Sequence, residues 1–134
     1  MALSDQVSAP ALAMLPHCLY ELRKGVRQLF LLTMPQHEAQ AVEKRLHRER
    51  VAMHIQGVNA RKSNVYFGQV RFVEIAKRIA VRPLNQLTPE EDFMLGILLG
   101  YERGQQCQRY LARVRRGRIG PRARHDSALL PPCA

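Results

Sequence analysis

The spacing of apolar residues changes along this chain from every second position to every third or fourth, and each change marks an element. The longest apolar run is residues 93–101, and the residues before it prepare a helix start. Thr88 can accept a hydrogen bond from a free first-turn N–H, and Pro89 follows at a position where its missing N–H costs nothing. Glu91 completes a capping box with Thr88, and Glu90, Glu91 and Asp92 place negative charge on the positive end of the helix dipole. The helix that follows carries Met94, Ile97, Leu98 and Tyr101 on one face and Leu95 and Leu99 on another, so it is expected to be buried on every side. The run is too short to span a bilayer, which takes about 20 apolar residues. Gly96 and Gly100 lie one turn apart in it. Each costs roughly 1 kcal/mol against alanine in a helix interior, so another backbone is expected to pass close by. The glycine face suits either close packing within one domain or a homodimer seam.

Elsewhere the pattern is weaker. Residues 1–15 are rich in Ala and Ser and are expected to form a mobile lead. In residues 16–22, Cys18, Tyr20 and Leu22 alternate with His17, Leu19 and Glu21, which predicts a strand. Residues 26–34 fit a short helix through Val26, Leu29 and Phe30, although 30–33 would also pass as a buried strand; the helix is preferred. A charged helix is predicted over 36–50, with Ala39, Val42 and Leu46 inward. Strict alternation over 51–58 predicts a half-buried strand. A polar turn then leads to a return strand over 64–68, making a hairpin. Residues 69–80 form a helix with Phe72, Val73, Ala76 and Ile79 inward, stopped before Pro83. A last helix over 105–116 sets Cys107, Tyr110, Leu111 and Val114 on one stripe. These elements predict a small α+β fold: a three-stranded sheet with a hairpin, packed by four to five helices. The predicted organisation is the lead at 1–15, one domain over 16–116, and a disordered Arg-rich tail over 117–134.

Composition sharpens this in two ways. The chain has 134 residues, enough for one core, and 46% are hydrophobic, which argues for folding. The formal net charge is +10, of which residues 102–134 hold +6 through eight arginines against two acids. The three cysteines, Cys18, Cys107 and Cys133, have no C-x-x-C spacing, so neither a disulfide framework nor a zinc knuckle is expected. Reduced thiols fit a cytoplasmic protein, and the N-terminus, interrupted by Asp5 and Pro10, makes a poor signal peptide.

Three blocks of sequence resemble a small bacterial family known only as a domain of unknown function, family two-thousand-twenty-three. They are His17-Cys18-Leu19-Tyr20-Glu21-Leu22-Arg23-Lys24-Gly25-Val26-Arg27, then Asn64-Val65-Tyr66-Phe67-Gly68, then residues 87–101 from Leu87 to Tyr101. Gln106-Cys107 followed by Tyr110-Leu111 closes the similarity, which covers residues 16–111. The resemblance implies an α+β homodimer with three strands, encoded near flavodoxin genes. It implies no established activity and supplies no catalytic residues. The long lead and the Arg-rich tail depart from the family pattern.

Candidate chemistry is sparse. His17 and Glu21 from the predicted first strand, His54 and Gln56 from the second and Tyr66 from the third would share one sheet face. In a favourable register they would suit acid–base chemistry or a metal pair; a solvated or helix-covered face with satisfied side chains is the preferred reading. Cys107 is near Arg103 and Arg109, which would lower a thiol pKa, yet its stripe position fits a buried, inert cysteine. Gly68 before a helix could open an anion site, but no phosphate-loop motif accompanies it. Arg109, Arg113, Arg116, Arg118, Arg122 and Arg124 would attract any polyanion. The sequence therefore points to a non-enzymatic binding or accessory protein without metal, cofactor or membrane. Its expected partners are a second copy and an acidic protein such as a flavodoxin. Nonspecific nucleic-acid binding through the Arg-rich end and an enzyme or metal site around His17, Glu21 and His54 are the alternatives.

Overall fold

The computed structural model describes residues 10–117. In chain order the elements are α1 (Pro10–Lys24), β1 (Leu29–Pro35), α2 (Gln36–Arg48), β2 (Ala52–Gly57), β3 (Lys62–Gly68), α3 (Val70–Ile79), a 3₁₀ turn (Leu84–Gln86), α4 (Pro89–Leu98) and α5 (Arg103–Gly117). The α+β class, the three-stranded sheet and the five helices all agree with the sequence. Two elements have exchanged type. Residues 16–22 belong to helix α1, and the segment read as a short helix over 26–34 contains strand β1. Helix α1 also takes in residues 10–15, assigned from sequence to the mobile lead, and buries Ala11 and Leu15 from that stretch. The rest of the lead and residues 118–134 lie outside the described residues.

Both exchanges have a physical cause. Leu15, Cys18, Leu19 and Leu22 are spaced i, i+3, i+4 and i+7, so the segment carries a helical stripe as well as an alternation. Three of the four are buried, and Leu22 packs against them. Pro16 within α1 removes one backbone donor; the burial of this stripe outweighs that cost. In β1, the run Leu29 to Leu32 is apolar on both sides because both faces of the sheet are covered.

β3 is the central strand, antiparallel to β1 on one side and to β2 on the other. Alternation along the strands divides the core in two. Phe30, Met34, Val65 and Phe67 face α1 and α2, where they meet Leu15, Leu19, Val42 and Leu46. The Phe30 and Phe67 rings stack there with centroids 5.2 Å apart. Leu29 and Tyr66 face α3 and α4, where they meet Val73, Ala76, Ile79, Leu95 and Leu99. The result is a helix–sheet–helix sandwich, with α5 packed outside against α4.

The start of α4 is as the sequence predicts. Glu91 N–H donates to Thr88 Oγ1 at 3.1 Å, and Thr88 N–H donates to Glu91 Oε1 at 3.0 Å. The helix is not buried all round, however. Leu95, Gly96 and Leu99 face inward, whereas Met94, Ile97 and Tyr101 are exposed. The two glycines have local reasons. A Cβ on Gly96 would lie 2.1 Å from Gln106 Oε1 of α5, so the close approach it permits is made within the chain. Gly100 has φ +79°, the left-handed conformation that ends a helix, and Tyr101 N–H donates back to the Gly96 carbonyl at 3.1 Å. Arg27 closes the same helix end by donating from Nη2 to the Leu99 carbonyl at 3.0 Å, with its guanidinium 4.6 Å from the Phe30 ring centre.

Candidate functional site

The predicted polar face is split by the sheet. His17 and Glu21 lie on α1 and pair with each other at 3.2 Å. His54, Gln56 and Tyr66 lie on the opposite side, under α3. His17 and Glu21 therefore do not share a face with His54, because the segment that carries them is a helix on the other layer.

Two of the three that do come together, Gln56 and Tyr66, form a hydrogen-bond network with Asn64 and Thr33, and His54 lies beside it. Register places His54 opposite Tyr66 and Gln56 opposite Asn64. Gln56 Oε1 accepts from Tyr66 Oη at 3.0 Å and from Asn64 Nδ2 at 3.3 Å. Gln56 Nε2 donates to the carbonyls of Ala80 at 2.8 Å and Arg82 at 2.9 Å. Thr33 Oγ1 donates to Asn64 Oδ1 at 2.6 Å. An amide has two acceptor sites and two donors, so Gln56 is fully used. It fastens the end of α3 to the sheet and gives two buried side chains their partners. Burial pushes the Tyr66 phenol up to about 12. His54 tilts against the Tyr66 ring at 5.9 Å, and its pKa is lowered, first by burial and then by Lys77. Chemically this arrangement is a packed polar layer holding a neutral imidazole.

The other signals resolve in the same way. Helix α3 begins with Gln69, whose Oε1 accepts from Arg71 N–H at 2.8 Å and Phe72 N–H at 3.4 Å, so the helix start after Gly68 is capped from within. Gly68 is required because a Cβ would lie 2.2 Å from the Gln28 carbonyl oxygen. Cys18 is buried, and desolvation raises its pKa. Cys107 is exposed rather than buried. Among the described residues no group of three or more His, Cys, Asp or Glu converges as a metal site, and no helix is long and apolar enough to cross a membrane.

The arginines of the last helix divide by role. Arg109 holds Asp92 through two bonds, Nε to Oδ2 at 2.7 Å and Nη2 to Oδ1 at 3.1 Å. Arg113 donates to the Leu87 carbonyl at 2.9 Å and lies 3.4 Å from Asp92. The hydrogen bonds from Arg109 hold the Asp92 carboxyl below its usual range. Both arginines thus clamp α5 to α4. Arg116 is exposed at the end of α5. Arg118, Arg122 and Arg124 lie outside the described residues.

Two surfaces escape the sequence reading. The first is the outer face of the α4–α5 hairpin. The predicted inward stripe of α5 contains no buried residue. Phe93 meets Tyr110 at 5.5 Å between ring centres. Helical spacing sets Met94 and Ile97 on one exposed face of α4, and Cys107 and Leu111 on one exposed face of α5. The exposures of Met94, Ile97, Tyr101 and Leu111 are 46, 36, 47 and 47%. The second is a groove of about 870 Å³ between α1, the C-terminal half of α2 and β2. The only sequence signal for it was the basic outer face of the 36–50 helix, which reads equally well as a solvated surface.

A three-stranded antiparallel sheet with helices packed on both faces defines a small α+β protein. The chain belongs to the DUF2023 family, a protein of unknown function, whose model matches residues 13–113. No curated protein matches it.

Proposed function

We propose that this protein is a small cytoplasmic binding or accessory module, homodimeric, whose partner is an acidic protein of the flavodoxin type. The observation that carries the reading is the outer face of the α4–α5 hairpin. Helix α5 is 15 residues long and buries none of them fully; Cys107 and Leu111 of its apolar stripe are exposed, as are Met94 and Ile97 of α4. An apolar stripe left open on two adjacent helices favours association. The contact follows the flank carrying Met94, Ile97 and Leu111, since the close approach at Gly96 is already occupied by Gln106. The engaged state of Gln56, Asn64 and Tyr66 supports a contact function over catalysis. The net charge of +10 favours an acidic partner.

Sedimentation of the full chain and of Ile97→Glu and Leu111→Glu variants tests the dimer. A dimer that becomes monomeric in both variants, with unchanged helical signal, is the expected result; a wild-type chain monomeric at every concentration removes it. The partner is tested by titrating an acidic flavodoxin, then a mixed-sequence oligonucleotide, at low and moderate salt. Saturable, flavodoxin-selective binding is expected. Equal competition by the oligonucleotide, with affinity falling steeply in salt, would instead assign the attraction to nonspecific polyanion binding.

A further inference from the structure

We infer that the groove between α1, α2 and β2 seats an acidic segment of a partner protein, one presenting an apolar side chain flanked by carboxylates. The inference rests on the reading of this protein as a module for acidic partners and says where such a partner docks. The floor of the groove is Leu12 from α1, Ala41 from α2 and Met53 from β2. All three are only partly buried, whereas Ala39, Val42 and Leu46 of α2 are sealed in the core. The rim is Lys44, His47 and Arg48, spaced i, i+3 and i+4 on one side of α2.

The charges on this rim differ in how far they are already used. Arg45 also lines the groove, but it donates to Glu49 Oε2 at 3.1 Å, and Arg23 binds the same carboxylate. Hydrogen bonds from Arg23 and Arg45 hold Glu49 below the usual glutamate range, so those two cations share one carboxylate. Among the described residues no ion pair engages Lys44, His47 or Arg48. Glu43 is the one acid on the lining, and it leaves the rim with an excess of positive charge.

The shape favours a protein segment over a small molecule. Small-molecule sites fix orientation with a few convergent polar groups inside an enclosed pocket. Every ionisable or amide side chain lining this groove is exposed or half-exposed, and none is buried at its floor. Recognition here must come from an apolar anchor on the floor and charge at the rim, which is how protein surfaces combine affinity with steering. The floor has three apolar side chains, one of them an adaptable methionine, and so suits one anchor residue rather than a whole helix face.

The test is a titration of the full chain, labelled for NMR, with a synthetic peptide carrying one leucine between aspartates and glutamates. A control peptide has serine in place of the leucine. Saturable shifts centred on Ala41, Lys44, Arg48 and Met53 are expected. The K44E/R48E variant, altered only at exposed side chains, should weaken binding at least about tenfold, and the serine peptide should bind more weakly to the wild type. Shifts spread equally over Arg71, Lys77 and Arg78 of α3, or binding indifferent to K44E/R48E, would overturn the inference, as would no binding of the leucine peptide. The flavodoxin titration repeated on K44E/R48E keeps the two readings apart. Flavodoxin binding that ignores the reversal overturns the groove and leaves the acidic partner standing. Peptide binding in the groove without flavodoxin binding supports the groove and removes that partner.

Discussion

Glu38 of α2 reaches across to α1 and accepts the N–H of Ala11 at 2.9 Å and of Leu12 at 3.3 Å, capping a helix that lies 26 and 27 residues earlier in the chain. The first turn of any helix leaves N–H groups without internal partners, and here a buried carboxylate from another element satisfies two of them. Glu38 is 3% exposed, so water cannot replace it.

Glu38→Ala should therefore destabilise the protein by about 1–2 kcal/mol, the range for lost caps and orphaned donors. Glu38→Gln keeps an acceptor and loses only the attraction of a full charge to the helix dipole, so it should cost less. Urea denaturation of the three proteins checks the order. Equal loss in both variants would mean that charge, not hydrogen bonding, carries the cap.

A cap supplied at this range also explains where the sequence could be read and where it could not. The α4 start was legible because Thr88, Pro89 and Glu91 carry their signal within four residues. The hairpin was legible because the alternation of Met53 and Ile55 with His54 and Gln56 fits no helical face. The α1 segment was not: Cys18 and Leu22 share a face under both periods, and the residue that caps the helix start, Glu38, lies in another element. The polar face was legible only in part. His54, Gln56 and Tyr66 do share a sheet face, but that Gln56 is saturated depends on the Ala80 and Arg82 carbonyls, which no sequence pattern places there. The groove and the hairpin face depend on which side of an amphipathic helix meets the core, and α5 shows that part of an apolar stripe can remain open.

Gln56 is the side chain whose loss should be felt most widely in the polar layer. Gln56→Ala would leave Tyr66 Oη, Asn64 Nδ2 and two carbonyls without partners, at a cost of about 2–3 kcal/mol. Gln56→Glu should be as damaging despite its identical shape, because a carboxylate would face the Ala80 and Arg82 carbonyls with no donor to offer. Thermal melts with near-ultraviolet circular dichroism on Tyr66 give the comparison. A Gln56→Glu protein as stable as wild type would show that the two carbonyl bonds contribute little.

Gly96 and Gln106 should behave as a coupled pair. In the wild-type background Gly96→Ala gains helix propensity but pushes the Gln106 amide aside, so its net effect should be near zero. In a Gln106→Ala background the obstruction is gone, and Gly96→Ala should stabilise by about 1 kcal/mol. A double-mutant cycle measures the difference. A full gain in the wild-type background would mean that Gln106 moves freely and that the contact does not constrain the helix.

Arg50 follows the end of α2 with φ 58°, the left-handed conformation in which glycine normally sits. Its N–H donates to the His47 carbonyl at 3.1 Å, and Val51 N–H donates to the Leu46 carbonyl at 3.0 Å, so the turn is fully formed around a strained residue. Arg50→Gly should stabilise by about 1 kcal/mol. Denaturation in urea is the check, and a destabilised variant would show that the arginine side chain offsets its own backbone strain.

The neutral state of His54 makes a prediction about pH. Burial and the nearby Lys77 lower its folded pKa below the usual histidine value of 6.5, so the unfolded chain takes up a proton at a pH where the folded chain does not. Above about pH 6.5 both forms are neutral and the contribution of His54 to stability is complete. As the pH falls from there through the folded pKa, the unfolded state binds more protons than the folded one and stability declines. The carboxylates of Asp92 and Glu49 are held below their usual range, so their contribution is lost only at lower pH, beneath the histidine window. Urea midpoints of wild type and His54→Gln across pH 8 to 5 should therefore diverge: the wild type loses stability on acidification, and the variant loses less. The His54 ring protons, followed by NMR in the folded protein, should titrate below those of a free histidine. A titration at or above the free value would remove the desolvation argument and leave the acid sensitivity to another group.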